Sequence, residues 1–118
     1  MPTIKIHIAS TLLPFQKPIL VKEARKSMVE MLNIDERIGQ VILYEALPQL
    51  RSAHESRSSN FVYIEITMHS GRSTEVKQAL MQRLCSIVSK YAEVEIKDIN
   101  CCIIELPVEN WYGGIQHS

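Results

Sequence analysis

The second residue of this 118-residue chain is a proline that leads directly into an alternating segment, Pro2-Thr3-Ile4-Lys5-Ile6-His7-Ile8. A small residue at position 2 ordinarily permits removal of the initiator methionine, so the mature chain is expected to begin with a secondary amine. No side chain supplies that group. An N-terminal amine titrates near ~7.7–8.0 in model peptides, and partial burial disfavours its charged form. Such an amine is neutral in the pH range where a general base works best. The plain alternative is a proline opening a strand, where no ladder donor is needed.

Around Pro2 the chain must build a scaffold, and its composition bounds what that scaffold serves. The length suits one domain, with 46% apolar residues to fill a modest core. Thirteen basic and thirteen acidic side chains cancel without forming a stripe or block, which argues against nucleic acid and anionic membrane as partners. No apolar run approaches the roughly 20 residues of a transmembrane helix, and the alternating N-terminus is not a signal peptide. Cys85, Cys101 and Cys102 lack metal-ligand spacing, and neighbours in a strand face opposite ways. Reduced cysteines in a cytoplasmic protein, with no metal bound, are the expectation.

The chain repeats itself at an offset of 60 residues. Ile4, Ile6 and Ile8 fall on Ile64, Ile66 and Met68. Gln40-Val41-Ile42-Leu43-Tyr44-Glu45 falls on Asn100-Cys101-Cys102-Ile103-Ile104-Glu105. The repeats cover about 2–45 and 61–114, joined by a connector at 46–60 that has no apolar period. Each reads strand, helix, strand. The first strands, about 3–9 and 61–69, alternate as half-buried strands do. The second, about 40–45 and 99–105, are continuous apolar runs suited to strands buried on both faces. Two helical stripes are expected to be core: Ile19, Leu20, Ala24, Met28 and Met31, then Val76, Leu80, Leu84, Ile87, Val88 and Tyr91. Ser73 is placed to cap the second helix. The expected architecture is an α/β (α+β) domain over 1–118, with a four-stranded mixed sheet and both helices on one face. Its other face needs cover, which points to self-association.

The second repeat carries Ser70-Gly71-Arg72-Ser73-Thr74-Glu75 and ends Glu105-Leu106-Pro107, then Trp111-Tyr112-Gly113-Gly114. With Pro2 and the duplication, these segments resemble the tautomerase superfamily, the N-terminal-proline enzymes related to 4-oxalocrotonate tautomerase and malonate semialdehyde decarboxylase. The resemblance implies a tautomerase/MIF-like fold and cofactor-independent keto–enol tautomerisation of a small 2-oxo acid or its enol. It also implies a homotrimer, since short relatives assemble six single units.

By the same resemblance, Pro2 is the base and Arg72 grips the substrate carboxylate. The position of Pro2 holds Val62 in the second repeat, and that of Arg72 holds Leu12 in the first, leaving the parts of one site per chain. Antiparallel pairing of the two first strands would bring Pro2 near Arg72. A guanidinium suits a carboxylate, and a cation beside a helix N-terminus needs a reason; solvation is the plain alternative. Trp111 would wall the pocket or pack against a neighbouring subunit, and Gly113 and Gly114 would form a turn. His69 would be a general acid, a substrate ligand or an ordinary strand-end histidine. The family's other arginine is replaced by Gln40 and Asn100, substrate contacts without charge, with Arg51 or Arg57 as substitutes from the connector. Asp35 or Glu36 lies near where decarboxylase-like relatives keep an acid, with surface charge as the alternative. Two other readings stay open. One is hydration, dehalogenation or decarboxylation by a protonated Pro2, and the other is a non-catalytic binding module.

Overall fold

Alternation puts Ile4, Ile6 and Ile8 on one side of the first strand, β1 (Thr3–Ala9), and all three are buried. The computed structural model, which describes residues 2–56 and 58–113, continues through α1 (Gln16–Leu32), β2 (Gln40–Ala46), β3 (Val62–His69), α2 (Thr74–Ala92) and β4 (Ile99–Leu106). The expectations for Met1, Arg57 and Gly114 fall outside the described residues. The sheet order is β2-β1-β3-β4, with parallel pairing in each outer pair and antiparallel pairing between β1 and β3. Two β-α-β units therefore meet at their first strands. Both helices cover the face of Ile4, Ile6, Ile8, Ile64, Ile66 and Met68, with Leu20, Ala24 and Met28 from α1 and Leu80, Leu84 and Val88 from α2.

The 60-residue offset extends to atomic detail. Asn33 and Glu93 both end their helices in the left-handed conformation, at φ 51° and 54°. Lys17 pairs with Glu45 at 2.8 Å, and Lys77 pairs with Glu105 at 3.1 Å. Ser10 N donates to Ala46 O, and Ser70 N donates to Leu106 O, both at 3.0 Å. At the start of α2, Ser73 Oγ accepts from Val76 N at 3.2 Å, as the sequence indicated. Helix α1 lacks such a cap; Gln16 Oε1 accepts from Leu13 N instead.

Two sequence expectations change. Ile19 was placed in the core stripe, yet it is exposed beside buried Leu20, because the α1 stripe turns inward only from Leu20 onward. The apolar runs β2 and β4 were read as strands buried on both faces. They are the sheet's edges, packing Val41, Leu43, Cys101 and Ile103 against the core from one face. On the other face Ile42 and Tyr44 are 40% exposed and Ile104 is 41% exposed. That face belongs to Thr3, Lys5 and His7, with His7 stacked on Tyr44 at 4.8 Å and leaning on Tyr63 at 5.9 Å. Cys101 and Cys102, both free thiols, point to opposite sides: Cys101 packs against the core beside Cys85 of α2, and Cys102 Sγ lies 3.1 Å from Tyr63 Oη. No helix among the described residues is long and apolar enough to cross a membrane.

Candidate active site

Antiparallel pairing of β1 with β3 sets Thr3 opposite Thr67 and Ile4 opposite Ile66. The start of β1 therefore lies beside the end of β3, and Pro2 and His69 share one end of the sheet. Strand β4, parallel to β3, sets Leu106 opposite His69. The chain then passes through a short 3-10 turn at Val108–Asn110 and delivers Trp111. Its ring meets the His69 imidazole edge to face, centroids 5.5 Å apart at 84°. On the other side of His69 the chain turns at Gly71, φ 123°, and presents Arg72 just before the Ser73 cap.

Pro2 is buried, and its carbonyl accepts from Gln40 N at 3.1 Å. Gly39 presses against it: a Cβ there would sit 3.4 Å from Pro2 O and would overlap Met28 Cε. Gly39 itself stands at φ 91°, where a side chain is strained. The Gln40 side chain donates from Nε2 to Thr3 Oγ1 at 3.2 Å, so it braces the strand start next to Pro2.

His69 Nε2 is buried and has no hydrogen-bond partner. The imidazole is held below its usual pKa, first by burial and also by the positive charge of Arg72. That the Arg72 charge acts on this ring puts His69 and Arg72 in a single electrostatic neighbourhood. Arg72 is half-buried and makes no hydrogen bond or ion pair with any described residue. Its fork is open to an anion.

Asn100 does not join this group within one chain. It stands opposite Tyr63 at the start of β3, six positions from His69 and roughly 20 Å away along the strand. Arg51 also lies at that far end. It donates to Ser59 O at 2.7 Å and to Phe61 O, and its guanidinium covers the Phe61 ring at 3.8 Å. Its fork is spent on closing the connector. Asp35 and Glu36 sit in the loop leading to β2, at the Pro2 end. Asp35 accepts from Arg37 N at 2.8 Å and pairs with the Arg37 guanidinium at 2.6 Å. Arg25 braces the same loop by donating to the carbonyls of Glu36, Ile38 and Gly39. At the opposite end, Ala9, Leu12 and Val62 occupy the places of His69, Arg72 and Pro2 and line a small cleft.

Sequence reasoning passed over Gly39 and Met28 as supports of Pro2. The available signal was a glycine directly before β2 where the other repeat has Ile99. It also passed over Asp98, 3% exposed, which accepts from Ser58 N at 3.2 Å and Ser58 Oγ at 2.8 Å and so anchors the connector.

A family model described as tautomerase enzyme matches residues 41–113. No curated protein matches the sequence. Among solved structures, a fused 4-OT described as a wild-type symmetric trimer superposes with a TM-score of 0.83 at 21% identity, covering 89% of this chain and 85% of its own. FG41 malonate semialdehyde decarboxylase, inhibited by 3-bromopropiolate, gives 0.81 at 23% identity, covering 98% and 91%. A macrophage migration inhibitory factor-like protein from Entamoeba histolytica gives 0.81 at 19% identity, covering 99% and 96%.

Proposed function

The chain belongs to the tautomerase family, and on that footing we propose that it interconverts the keto and enol forms of a small 2-oxo acid without metal or organic cofactor. The observation that carries this reading is an unengaged Arg72 at the same sheet end as buried Pro2. After loss of Met1, the Pro2 nitrogen would be a free secondary amine. A secondary amine at the buried start of β1 suits a general base. The amine takes a proton from C3 of the keto acid, the C–H electron pair forms the C2=C3 bond, and the carbonyl pair moves onto oxygen. Returning the proton at carbon or oxygen gives either tautomer. Arg72 holds the carboxylate, and the Trp111 ring shields that end from water.

The rival reading has a protonated Pro2 act as an acid in hydration, dehalogenation or decarboxylation. Asp35, the acid such chemistry would recruit, already faces Arg37. The assembly proposed is a homotrimer. It would cover the sheet face of Ile42, Tyr44, Tyr63 and Ile104, and a similar fused 4-OT is described as a symmetric trimer. Asn100 would reach a substrate only from a neighbouring chain.

The test pairs intact mass with kinetics on the enol of phenylpyruvate. The expected mass lacks Met1. Pro2→Ala should lower kcat by at least 10²-fold, and Arg72→Ala should lower kcat/KM by about 10²–10³-fold, the usual cost of one lost anion-stabilising donor. Full activity in a species that keeps Met1, or an unchanged kcat/KM in Arg72→Ala, would refute the assignment.

A further inference from the structure

We propose that His69 Nε2 is the second substrate contact of this site, binding the 2-oxo oxygen of a monocarboxylate while Arg72 holds its carboxylate. The proposal rests on the tautomerase reading above and adds a residue and a substrate class to it. Its starting point is an atom rather than a resemblance. A buried polar nitrogen without a partner is rare, because desolvation without a compensating bond is costly. The chain has not buried this one by default. Trp111 packs edge to face against the ring and fixes where Nε2 points, and Gly71 turns the chain so that Arg72, three residues after His69, acts on the same imidazole. A 2-oxo acid presents a carboxylate and a carbonyl oxygen on adjacent carbons. A guanidinium and an imidazole side by side match that pair.

Charge decides what the histidine contributes. Burial and the Arg72 charge both oppose a positive charge on the ring, so at neutral pH it is an uncharged imidazole with one N–H. As the C3–H bond breaks toward Pro2 N, the displaced electron pair reaches the carbonyl oxygen. Nε2–H then meets an enolate oxygen rather than a neutral carbonyl, and the hydrogen bond strengthens as the barrier is climbed. The proton stays on His69 throughout; it is shared, not transferred.

The same absence of charge restricts the substrate. Position 40 is glutamine, Asn100 lies at the far end, Lys77 is paired with Glu105, and Arg25 and Arg37 are tied to the loop before β2. Arg72 is left as the one unengaged arginine among the described residues of this end. One cation balances one carboxylate. A dicarboxylate would bring a second anion to a place that offers only neutral donors.

The experiment compares purified wild type with His69→Leu, His69→Gln and His69→Arg on the enol of phenylpyruvate, a monoacid, and on 2-hydroxymuconate, a diacid. Wild type should favour the monoacid in kcat/KM by tenfold or more. His69→Leu should lose about 10–10²-fold in kcat with KM changed only a few-fold, since the bond strengthens in the transition state. His69→Gln, which keeps a side-chain donor, should regain much of that loss. His69→Arg should shift preference toward the diacid. Circular dichroism checks the fold of each, and the Gln and Arg variants still decide the matter should the Leu variant not fold. Full kcat in a folded His69→Leu, or a wild type that prefers the diacid, overturns the proposal. If Pro2→Ala is inactive while His69→Leu is unaffected, this inference fails and the tautomerase reading survives. If wild type shows no Pro2-dependent turnover at all, both fail.

Discussion

Alanine at Gly39 should damage the protein much more than alanine at Gly71, although both glycines stand at positive φ beside the candidate site. Their backbone conformations, φ 91° and 123°, cost an L-residue about 1–2 kcal/mol each, so this part of the penalty is shared. What differs is the space for a Cβ. Nothing lies within 4 Å of the added atom at Gly71, whereas at Gly39 it overlaps Met28 Cε and touches Pro2 O at 3.4 Å. Met28 is fully buried in the core, so its displacement overpacks a closed space and adds about 1–3 kcal/mol. The totals become about 1–2 kcal/mol for Gly71→Ala and about 2–5 kcal/mol for Gly39→Ala. With an unfolding entropy near 2.1 cal/mol/K per residue, 1 kcal/mol corresponds to about 4 °C in a chain of 118 residues. Thermal unfolding at one fixed protein concentration should show Tm falling by about 4–8 °C for Gly71→Ala and about 8–20 °C for Gly39→Ala. Kinetics should separate them as well: Gly39→Ala moves Pro2 and lowers kcat, while Gly71→Ala moves Arg72 and raises KM. Equal Tm losses would refute the overlap with Met28, and no loss in either would mean that the positive φ values do not persist in solution.

Two further outcomes follow from the electrostatics and the free sheet face. Because His69 titrates below the usual histidine value near ~6.5 in the folded chain, the unfolded chain takes up its proton first as pH falls. The group is neutral toward stability well above that value and erodes it as pH drops through it, so His69→Gln should gain Tm relative to wild type between about pH 7.5 and pH 5; parallel Tm profiles would contradict the shift. Separately, Tyr44→Glu places a carboxylate on the exposed sheet face beside His7 and Ile42, and light scattering at micromolar concentration should find it as a monomer where wild type is expected to be the proposed trimer. A wild type that is monomeric and active would remove the assembly.

Periodicity and duplication made most of the fold legible. The Ile4/Ile6/Ile8 alternation, the helical stripe through Leu80, Leu84 and Val88 and the Ser73 cap are local patterns, and each appears where its spacing placed it. Edge position was not legible. A continuous apolar run such as Val41-Ile42-Leu43 looks the same whether both faces are covered by one chain or one face waits for another. The site divided along the same line. Pro2, His69 and Arg72 share one end of the sheet because the first strands pair antiparallel, a pairing the repeat left open. Asn100 was grouped with Gln40 because the repeat equates them, yet the same symmetry sends them to opposite ends of the sheet. Gly39 escaped notice because its importance lies in contact with Met28 and Pro2, residues 11 and 37 positions away.

The two ends share a backbone and differ in what it carries, and the covalent join explains the difference. At the far end the residue equivalent to Pro2 is Val62, whose nitrogen is locked in a peptide bond behind Phe61. No substitution at Val62 restores a basic amine there, so an arginine at position 12 or a histidine at position 9 would have no reaction to serve. Those positions hold Leu12, packed against the core, and Ala9, 3% exposed. The place of Trp111 is taken by Arg51, which with Asp98 fastens the connector that the fusion created. Meanwhile the strands, helix C-caps, paired Lys–Glu bridges and 3-10 turns stay in register at both ends. The fold therefore does not depend on the side chains of the proposed site for its shape. One end keeps the residues proposed for chemistry, while its twin, denied an amine, holds the chain together.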